Sequence, residues 1–349
     1  FIGGVYIFVP TSTKFFDSIT LAHMKKLVLA LFFVSFAFSS KAQIVDFSNA
    51  HIQVTKELKS PFRETYIRLI QEEIKKRTEL NLQVKDQSDM TPVIALAFAT
   101  DQNLHGIPLP QLPKNSPAFA KEGYALSIDI STKRPILWLI GADERGILYS
   151  MGEFFRKAHL SKNKILVDKK YEVAVFPLHT IRGHQLGYRN TANSWDAWDP
   201  KQYEQYIRDL ALFGMNAIEN IPMEDSPLGP HMKLSREEMN VKLSQICSNY
   251  GLDYWVWTPA VVDLADEAKF KQEVMKHTDF YKRTPKIDGV FFPGGDPGSN
   301  HPKYVLPFLK AIAAELKLSH PAAGMWVSLQ GFSDEEVNYF YEYLEKYQP

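Results

Sequence analysis

The residues best suited to chemistry lie in a glycine- and proline-rich stretch, Asp288–His301. Its first five residues, Asp288–Phe292, read as a short buried strand, and the loop that follows holds Asp296 between glycines and Pro297. We expect this setting to withdraw water from the Asp296 carboxyl group and so to favour its protonated form. A protonated carboxyl group can act as a general acid, often in partnership with a second carboxyl group. The alternative is structural: Asp296 caps the helix that begins near Pro302 or holds the glycine turns.

A second carboxyl group is expected at the end of another strand, because such ends can face one pocket. Our candidate is Glu219, at the end of the second strand of the C-terminal half, and Glu224 and Asp225 in the next loop are alternatives. Glu219 and Asp296 are therefore the predicted catalytic residues.

The predicted substrate-binding residues share a place in a polar loop or near the end of a strand. They are Arg189, Trp195, Trp198, Asp225, His231, Trp257, Asn300 and Gln330. Polar groups of these types can hydrogen-bond sugar hydroxyls, and indole rings can stack on the C–H face of a sugar. Structural alternatives stay open: a salt bridge at the rim for Arg189, packing on a helix start for Trp198, and core filling for at least one of Trp255 and Trp257.

Such residues meet only if several strands end on one side of the fold. From residue 176 onward, strand and helix alternate in five βα units, with predicted strands at 180–188, 216–221, 253–257, 288–292 and 324–329. Capping boxes at Asp199, Ser235 and Ser333 mark helix starts. We predict an α/β fold in which residues 176–349 form the N-terminal part of a (β/α)8 TIM barrel, since a whole barrel needs roughly 250 residues.

Residues 43–175 predict a separate small α+β domain with two layers. Its helices are expected at 61–79 and 143–157, and its β-rich runs at 81–85, 92–98, 124–129 and 135–140. We expect Arg145 and Tyr149, on the second helix, to pack that helix against its own sheet.

Two motifs resemble exo-acting glycoside hydrolases. Gly141–Tyr149 is similar to the end of the non-catalytic N-terminal domain of β-N-acetylhexosaminidases and α-glucuronidases. Arg182–Leu186 resembles the first barrel strand of the hexosaminidases, which continues to an Arg that holds the terminal sugar. Here Gly187 stands where that family has Asp, and Arg189 comes one position early.

A third motif, Gly294-Gly295-Asp296, resembles the Gly-Gly-Asp-Glu of the hexosaminidases, in which the Glu is the general acid, but Pro297 takes its place here. Set beside the loop after strand four of α-glucuronidases, Asp296 is implied to be the acid, with the base on strands beyond Pro349. The resemblance implies a TIM-barrel hydrolase that cleaves terminal sugars, α-glucuronidase-like or hexosaminidase-like. The alternative is a non-catalytic glycan-binding protein on the same scaffold.

The N-terminal residues are typical of a secretion signal. Met24–Lys26 is basic, residues 27–38 are apolar, and Ser40–Ala42 fits a cleavage site after Ala42. We predict upstream translation over residues 1–23, a signal peptide over 24–42, and a periplasmic or secreted mature protein without stable membrane insertion. A retained anchor is the alternative, which the short apolar run disfavours.

The composition does not favour a nucleic-acid partner, because 40 basic side chains are balanced by 40 acidic ones. His184, His231 and His301 lack the spacing of metal ligands. The single cysteine, Cys247, reads as a buried structural thiol rather than a nucleophile. We therefore expect no cofactor or metal, and the expected partner remains the carbohydrate ligand that the polar and indole side chains near the strand ends suit.

Overall fold

The computed structural model describes residues 43–86, 90–186, 198–220 and 234–347. The predicted upstream segment and signal peptide, residues 1–42, lie outside these ranges. Among the described residues, none of the helices has the length and apolar character needed to cross a membrane. Ile44–Pro349 forms one compact unit.

The first half of this unit, up to residue 175, contains ten strands and two α-helices among its described residues. The strands are β1 (Ile44–Asp46), β2 (His51–Val54), β3 (Val93–Phe98), β4 (Asn103–Leu104), β5 (Ile107–Pro108), β6 (Tyr124–Asp129), β7 (Ile136–Gly141), β8 (His159–Ser161), β9 (Lys164–Asp168) and β10 (Val173–Val175). The helices are α1 (Phe62–Thr78) and α2 (Glu144–Lys157).

A five-stranded mixed sheet in the order β10-β6-β7-β3-β2 organises this half. One face of the sheet packs through Leu96 and Leu139 on the apolar sides of α1 and α2. The other face, with Trp138, is covered by the segment between β3 and β6, which contributes Leu104 and Ala118. Both helices match their predicted positions because their apolar residues recur at helical spacing.

One predicted strand of the first half is wrong. Residues 81–85 form only an isolated bridge between Val84 and Ile52, because the chain leaves the edge of the sheet after that single pairing. The small sheet β1-β9-β8 was not predicted. Its strands are three to five residues long, too short to show a clear alternation.

The second half is a parallel sheet with its strands in chain order, β11 to β15. The strands are β11 (Gly183–Gln185), β12 (Ala217–Asn220), β13 (Asp253–Trp257), β14 (Gly289–Phe292) and β15 (Gly324–Val327). The helices that follow them in turn are α3 (Pro200–Leu212), α4 (Arg236–Tyr250), α5 (Glu267–Arg283), α6 (Pro302–Ser319) and α7 (Asp334–Tyr347). All five predicted βα units are therefore present.

The two faces of this sheet differ in burial. Ile218, Tyr254, Val290 and Phe292 are fully buried in the core that includes the helices. On the opposite face Glu219, Trp255 and Phe291 are only partly covered, and this face carries the polar and indole side chains described below. Because side chains alternate along a strand, the same strands fill a core and line a second surface.

The predicted helix starts are confirmed by their hydrogen bonds. Asp199 and Ser235 each complete a capping box, with Gln202 and Glu238 respectively. Gly251 ends α4 at φ +72°, a left-handed conformation that favours glycine.

The structure corrects the expected role of Arg145 and Tyr149. Instead of packing α2 on its own sheet, Arg145 donates to Asp253 Oδ1 at 2.6 Å, and the Tyr149 hydroxyl donates to the Met215 carbonyl at 3.2 Å. Both partners belong to the second half, so α2 lies at a junction. The motif around Arg145 therefore joins the two halves.

Candidate active site

The carboxyl group of Glu219 lies on the partly exposed face of the parallel sheet, in the middle of β12. The strand register pairs Gln185 with Glu219, Glu219 with Trp255, Trp255 with Gly289, and Gly289 with Gly324. Paired residues of neighbouring strands point to the same side of the sheet. The structure thus places the predicted catalytic residue Glu219 between an amide and an indole.

Burial changes the acidity of Glu219. Removal of water raises the pKa of its carboxyl group to about 7, while a hydrogen bond from the Gln185 amide acts in the opposite direction. A carboxyl group with such a pKa exists in both protonation states near neutral pH and can therefore give or take a proton there.

An indole pair extends from Glu219 across the sheet. The rings of Trp255 and Trp326 lie 5.5 Å apart between centroids, at an interplanar angle of 36°. Trp255 lies against Gly289, where an added Cβ would come within 2.5 Å of the ring. Trp326 is 49% exposed. Trp326 is not among the residues predicted from the sequence, although its position near the end of the fifth strand is a signal that could identify it.

Asp296 and Gln330, predicted separately, are in direct contact. The Gln330 side-chain amide donates to Asp296 Oδ2 at 2.6 Å, and the Gln330 carbonyl accepts from the Gly295 amide at 2.8 Å. Gly294 and Gly331 stand at φ +79° and +80°, where backbone atoms of the two loops approach closely. The loops after β14 and β15 are therefore held together at this point.

The expected removal of water from Asp296 is corrected by the structure, which leaves the side chain exposed. The reason is that the apolar strand ends at Phe292, and the loop carries Asp296 outward beyond it. The cap at the start of α6 is His301, whose Nδ1 accepts from the Lys303 amide at 3.1 Å, so Asp296 does not cap that helix.

The two predicted catalytic carboxyl groups lie at different depths. Glu219 is level with Gly289, the first residue of β14, whereas Asp296 follows the last residue of that strand by four positions. Three residue steps of about 3.3 Å separate Gly289 from the end of the strand. The structure therefore brings Asp296 to Gln330 and Glu219 to Gln185, as two separate pairs.

Asn300 is buried and engaged in holding two loops. Its side-chain nitrogen donates to the carbonyls of Ala260 and Val262 at 3.1 and 2.9 Å, and its oxygen accepts from the Leu264 amide at 2.9 Å. These three bonds join the loop after β13 to the start of α6. The side-chain oxygen and nitrogen of Asn300 are therefore both hydrogen-bonded to backbone groups of the protein.

The two described tryptophans among the predicted ligands are also packed. Trp257 is 6% exposed, on the same side of β13 as Trp255. Trp198 immediately precedes the cap of α3 and meets the rings of Tyr203 and Tyr206 at 5.5 and 5.2 Å. The pairing of Trp198 with Tyr203 is a hydrophobic staple, the structural alternative stated above.

The remaining predictions fall outside the described residues. Arg189, Trp195, Asp225 and His231 belong to this group, as does the alternative carboxyl group of Glu224. Within the part of the chain that the structure describes, no three His, Cys, Asp or Glu side chains are grouped to hold a metal ion. Cys247 is buried, which raises the pKa of its thiol, in keeping with a structural thiol.

Comparison of the structure as a whole shows similarity to solved glycoside hydrolases. The GH20 β-N-acetylhexosaminidase from Streptomyces coelicolor A3(2) matches with a TM-score of 0.59 at 11% sequence identity, covering 87% of this chain and 72% of that chain. A mutant Streptomyces plicatus β-hexosaminidase in complex with the product GlcNAc has a TM-score of 0.57 at 10% identity, with 87% and 69% covered. A GH138 enzyme targeting pectin rhamnogalacturonan II matches with a TM-score of 0.57 at 14% sequence identity, covering 86% of this chain and 47% of that chain.

These similarities confirm a fold of the glycoside-hydrolase kind. The chain spans about half the length of the GH138 enzyme and about seven tenths of the two Streptomyces enzymes. No protein-family model and no curated protein sequence matches the chain.

Proposed function

We propose that this protein is an exported glycoside hydrolase that removes terminal sugars from oligo- or polysaccharides by carboxyl-group acid/base catalysis. The observation that supports it best is Glu219, a carboxyl group with a pKa of about 7 beside the indole of Trp255. It lies on a fold similar to those of hexosaminidases and other glycoside hydrolases. The sugar is of the uronic-acid or N-acetylhexosamine type that the sequence motifs imply.

Glu219 is the proton donor in this proposal. Glycosidic-bond cleavage needs one carboxyl group that is still protonated near the working pH, and burial gives Glu219 that property. Asp296 is exposed and held by Gln330, a setting suited to a carboxylate that contacts substrate at the mouth of the site. This assignment reverses the sequence-based one, in which Asp296 was the acid.

The test is hydrolysis by the full-length protein of p-nitrophenyl N-acetylglucosaminide and p-nitrophenyl glucuronides of both anomeric forms. We expect release of p-nitrophenol from at least one of them. Glu219→Gln should lower kcat/KM by about 100-fold or more, because a positioned general acid contributes roughly 10²–10⁴-fold. The activity of the unaltered protein should fall as pH rises through about 7, where Glu219 loses its proton.

The matched control is Glu267→Gln, which alters an exposed carboxyl group on α5 that pairs with Lys271 at 2.6 Å. This variant should keep full activity. Full activity in Glu219→Gln would contradict the assigned role.

Release of no sugar from any of these substrates would overturn the hydrolase proposal. The exposure of Asp296 gives the non-catalytic alternative some support, since an exposed carboxylate and amide pair can bind a glycan without cleaving it. Binding of N-acetylglucosamine or glucuronic acid without turnover would favour that alternative.

A further inference from the structure

A buried carboxylate of the first half connects to the strands that carry Glu219. Glu122, 4% exposed, accepts hydrogen bonds from Arg145 at 2.7 Å, Arg182 at 2.5 Å and Asn216 at 3.0 Å. Burial alone would raise the pKa of Glu122, but the bonds from Asn216, Arg145 and Arg182 together lower it. Glu122 is thus a buried anion with its partners in place.

Two of the three partners of Glu122 stand at the starts of adjacent strands, and the third, Arg145 on α2, links Glu122 to the start of a third strand. Arg182 immediately precedes β11, and Asn216 immediately precedes β12. Arg145, which also bonds Glu122, donates to the carboxylate of Asp253, the first residue of β13, at 2.6 Å. Glu122 therefore holds the beginnings of β11 and β12 directly, and that of β13 through Arg145.

Arg182 and Asn216, the two partners of Glu122 at the strand starts, also bond each other and so align β11 with β12. The Arg182 amide donates to Asn216 Oδ1 at 2.8 Å, and the Asn216 amide donates to the Arg182 carbonyl at 2.9 Å. Three residues further along both strands, Gln185 is paired with Glu219. A slip of one residue would turn Glu219 to the other face of the sheet.

The backbone at Glu122 supports a dedicated role. Its φ of +59° lies in the left-handed region, where residues other than glycine are uncommon. The Glu122 amide is held by Asp143 Oδ2 at 2.8 Å, and an added Cβ at Gly123 would lie 2.2 Å from the Pro117 carbonyl oxygen. A strained backbone kept in place by its surroundings is a feature of functional positions.

We propose that Glu122 is a positioning residue, which holds β11 and β12 in the register that sets Gln185 beside Glu219 and keeps the Glu219 carboxyl group shielded from water. This inference rests on the function proposed above. The first half of the chain, in this view, contributes to the site through Glu122 and makes no contact with the reacting atoms. Of the side chains described, Gln185 is the polar one that acts on the pKa of Glu219, which leaves burial as the property that Glu122 controls.

The test is an NMR titration of the Glu219 carboxyl carbon in the full-length protein, in the unaltered form and in Glu122→Gln. Loss of the anion should loosen the strand starts and admit water to Glu219. We expect its pKa to fall from about 7 toward the ordinary 4.5, by about one unit or more, which is a tenfold change in proton affinity. Glu122→Asp, which keeps the charge but shortens the side chain, should give a smaller shift in the same direction.

The matched control is Glu73→Gln. Glu73 is also a buried carboxylate of the first half. It accepts a hydrogen bond of 3.2 Å from Arg208 of the second half, but Arg208 lies on α3 and not at the start of a strand. The Glu73→Gln variant should be less stable than the unaltered protein, while the pKa of Glu219 should stay unchanged. A purely structural role for Glu122 predicts the same behaviour for both variants.

An unchanged Glu219 pKa in folded Glu122→Gln would overturn the proposal. If that variant does not fold, an unchanged pKa in Glu122→Asp overturns it equally. Because the titration needs no substrate, its outcome is separate from the hydrolase test. A shifted pKa together with full activity of Glu219→Gln would leave the positioning role standing and remove the catalytic one.

Discussion

At the scale of single residues, Glu219 shows how a site can be built from burial alone. No ion pair is needed among the described residues to give its carboxyl group a pKa of about 7, because the strand places it on a partly covered face beside Trp255. The cost is a tendency to destabilise the fold once the group ionises. Activity and stability therefore depend on the same proton.

The proton of Glu219 should make stability dependent on pH. Its pKa in the folded state is about 7, above the ordinary 4.5, so the folded protein holds this proton more tightly than the unfolded chain. The stabilisation is complete below about pH 4.5 and is lost as pH rises through 7. Glu219→Gln, which cannot ionise, should therefore have a higher Tm than the unaltered protein at pH 8.

The measurement is thermal unfolding of both proteins at pH 5 and pH 8. At pH 8 we expect the free energy of unfolding of Glu219→Gln to exceed that of the unaltered protein by on the order of 1–2 kcal/mol, and at pH 5 we expect little difference. Each kcal/mol should raise the Tm by roughly 2–4 °C. An equal difference at both pH values would show that burial does not raise the pKa of Glu219.

At the scale of elements, the helix starts of the second half carry strong local signals. Asp199 accepts from the amides of Lys201 and Gln202 at 2.9 and 3.0 Å, and its own amide donates to Gln202 Oε1 at 2.9 Å. Trp198 adds the hydrophobic staple to Tyr203. Such short-range contacts fix where α3 begins, and so where the chain turns back after β11.

Removal of the α3 cap should lower stability measurably. Asp199→Ala leaves two backbone amides without their side-chain acceptor, and we expect a loss of about 1 kcal/mol in the free energy of unfolding. Urea unfolding followed by circular dichroism measures it. Asp209→Ala, at the other end of the same helix, is the control, because removing a negative charge near a helix C-terminus should not destabilise it. Equal losses in both variants would contradict the capping role.

At the scale of the whole molecule, the two halves meet closely at α2 and α3. An added Cβ at Gly152 would lie 1.9 Å from the Leu212 carbonyl oxygen, so the helices touch where glycine has no side chain. Beside this contact, Arg208 of α3 bonds Glu73 and Glu72 of α1. Packing and buried charge thus join the halves into one unit.

The close approach at Gly152 predicts that stability is shared between the halves. Gly152→Ala should force α2 and α3 apart and cost about 1–3 kcal/mol. The urea midpoint should fall by the same amount whether unfolding is followed by tryptophan fluorescence or by circular dichroism. Gly324→Ala is the control, because its nearest contact would be the tip of the Trp326 side chain at 3.3 Å. Separate transitions for the two probes would contradict this coupling.

Much of the fold could be predicted from the sequence. Alternating βα units, capping boxes and helical apolar spacing act over a few residues, and the five strands and helices of the second half were found from them. The strand ends also identified Glu219, Asp296 and Gln330 as residues to examine. What these signals did not reveal was Trp326, the small sheet β1-β9-β8, or the role of Arg145.

The parts that only the tertiary structure decided depend on residues far apart in the chain. Glu122 and Asn216 are 94 positions apart, and Asp296 and Gln330 are 34 apart. Water exclusion is a property of the assembled surface, which is why Glu219 is partly buried while Asp296 is exposed. The sequence by itself determined the order of strands and helices and the candidate carboxyl groups. Strand register and burial, which no local pattern encodes, gave Glu219 its raised pKa and left Asp296 exposed.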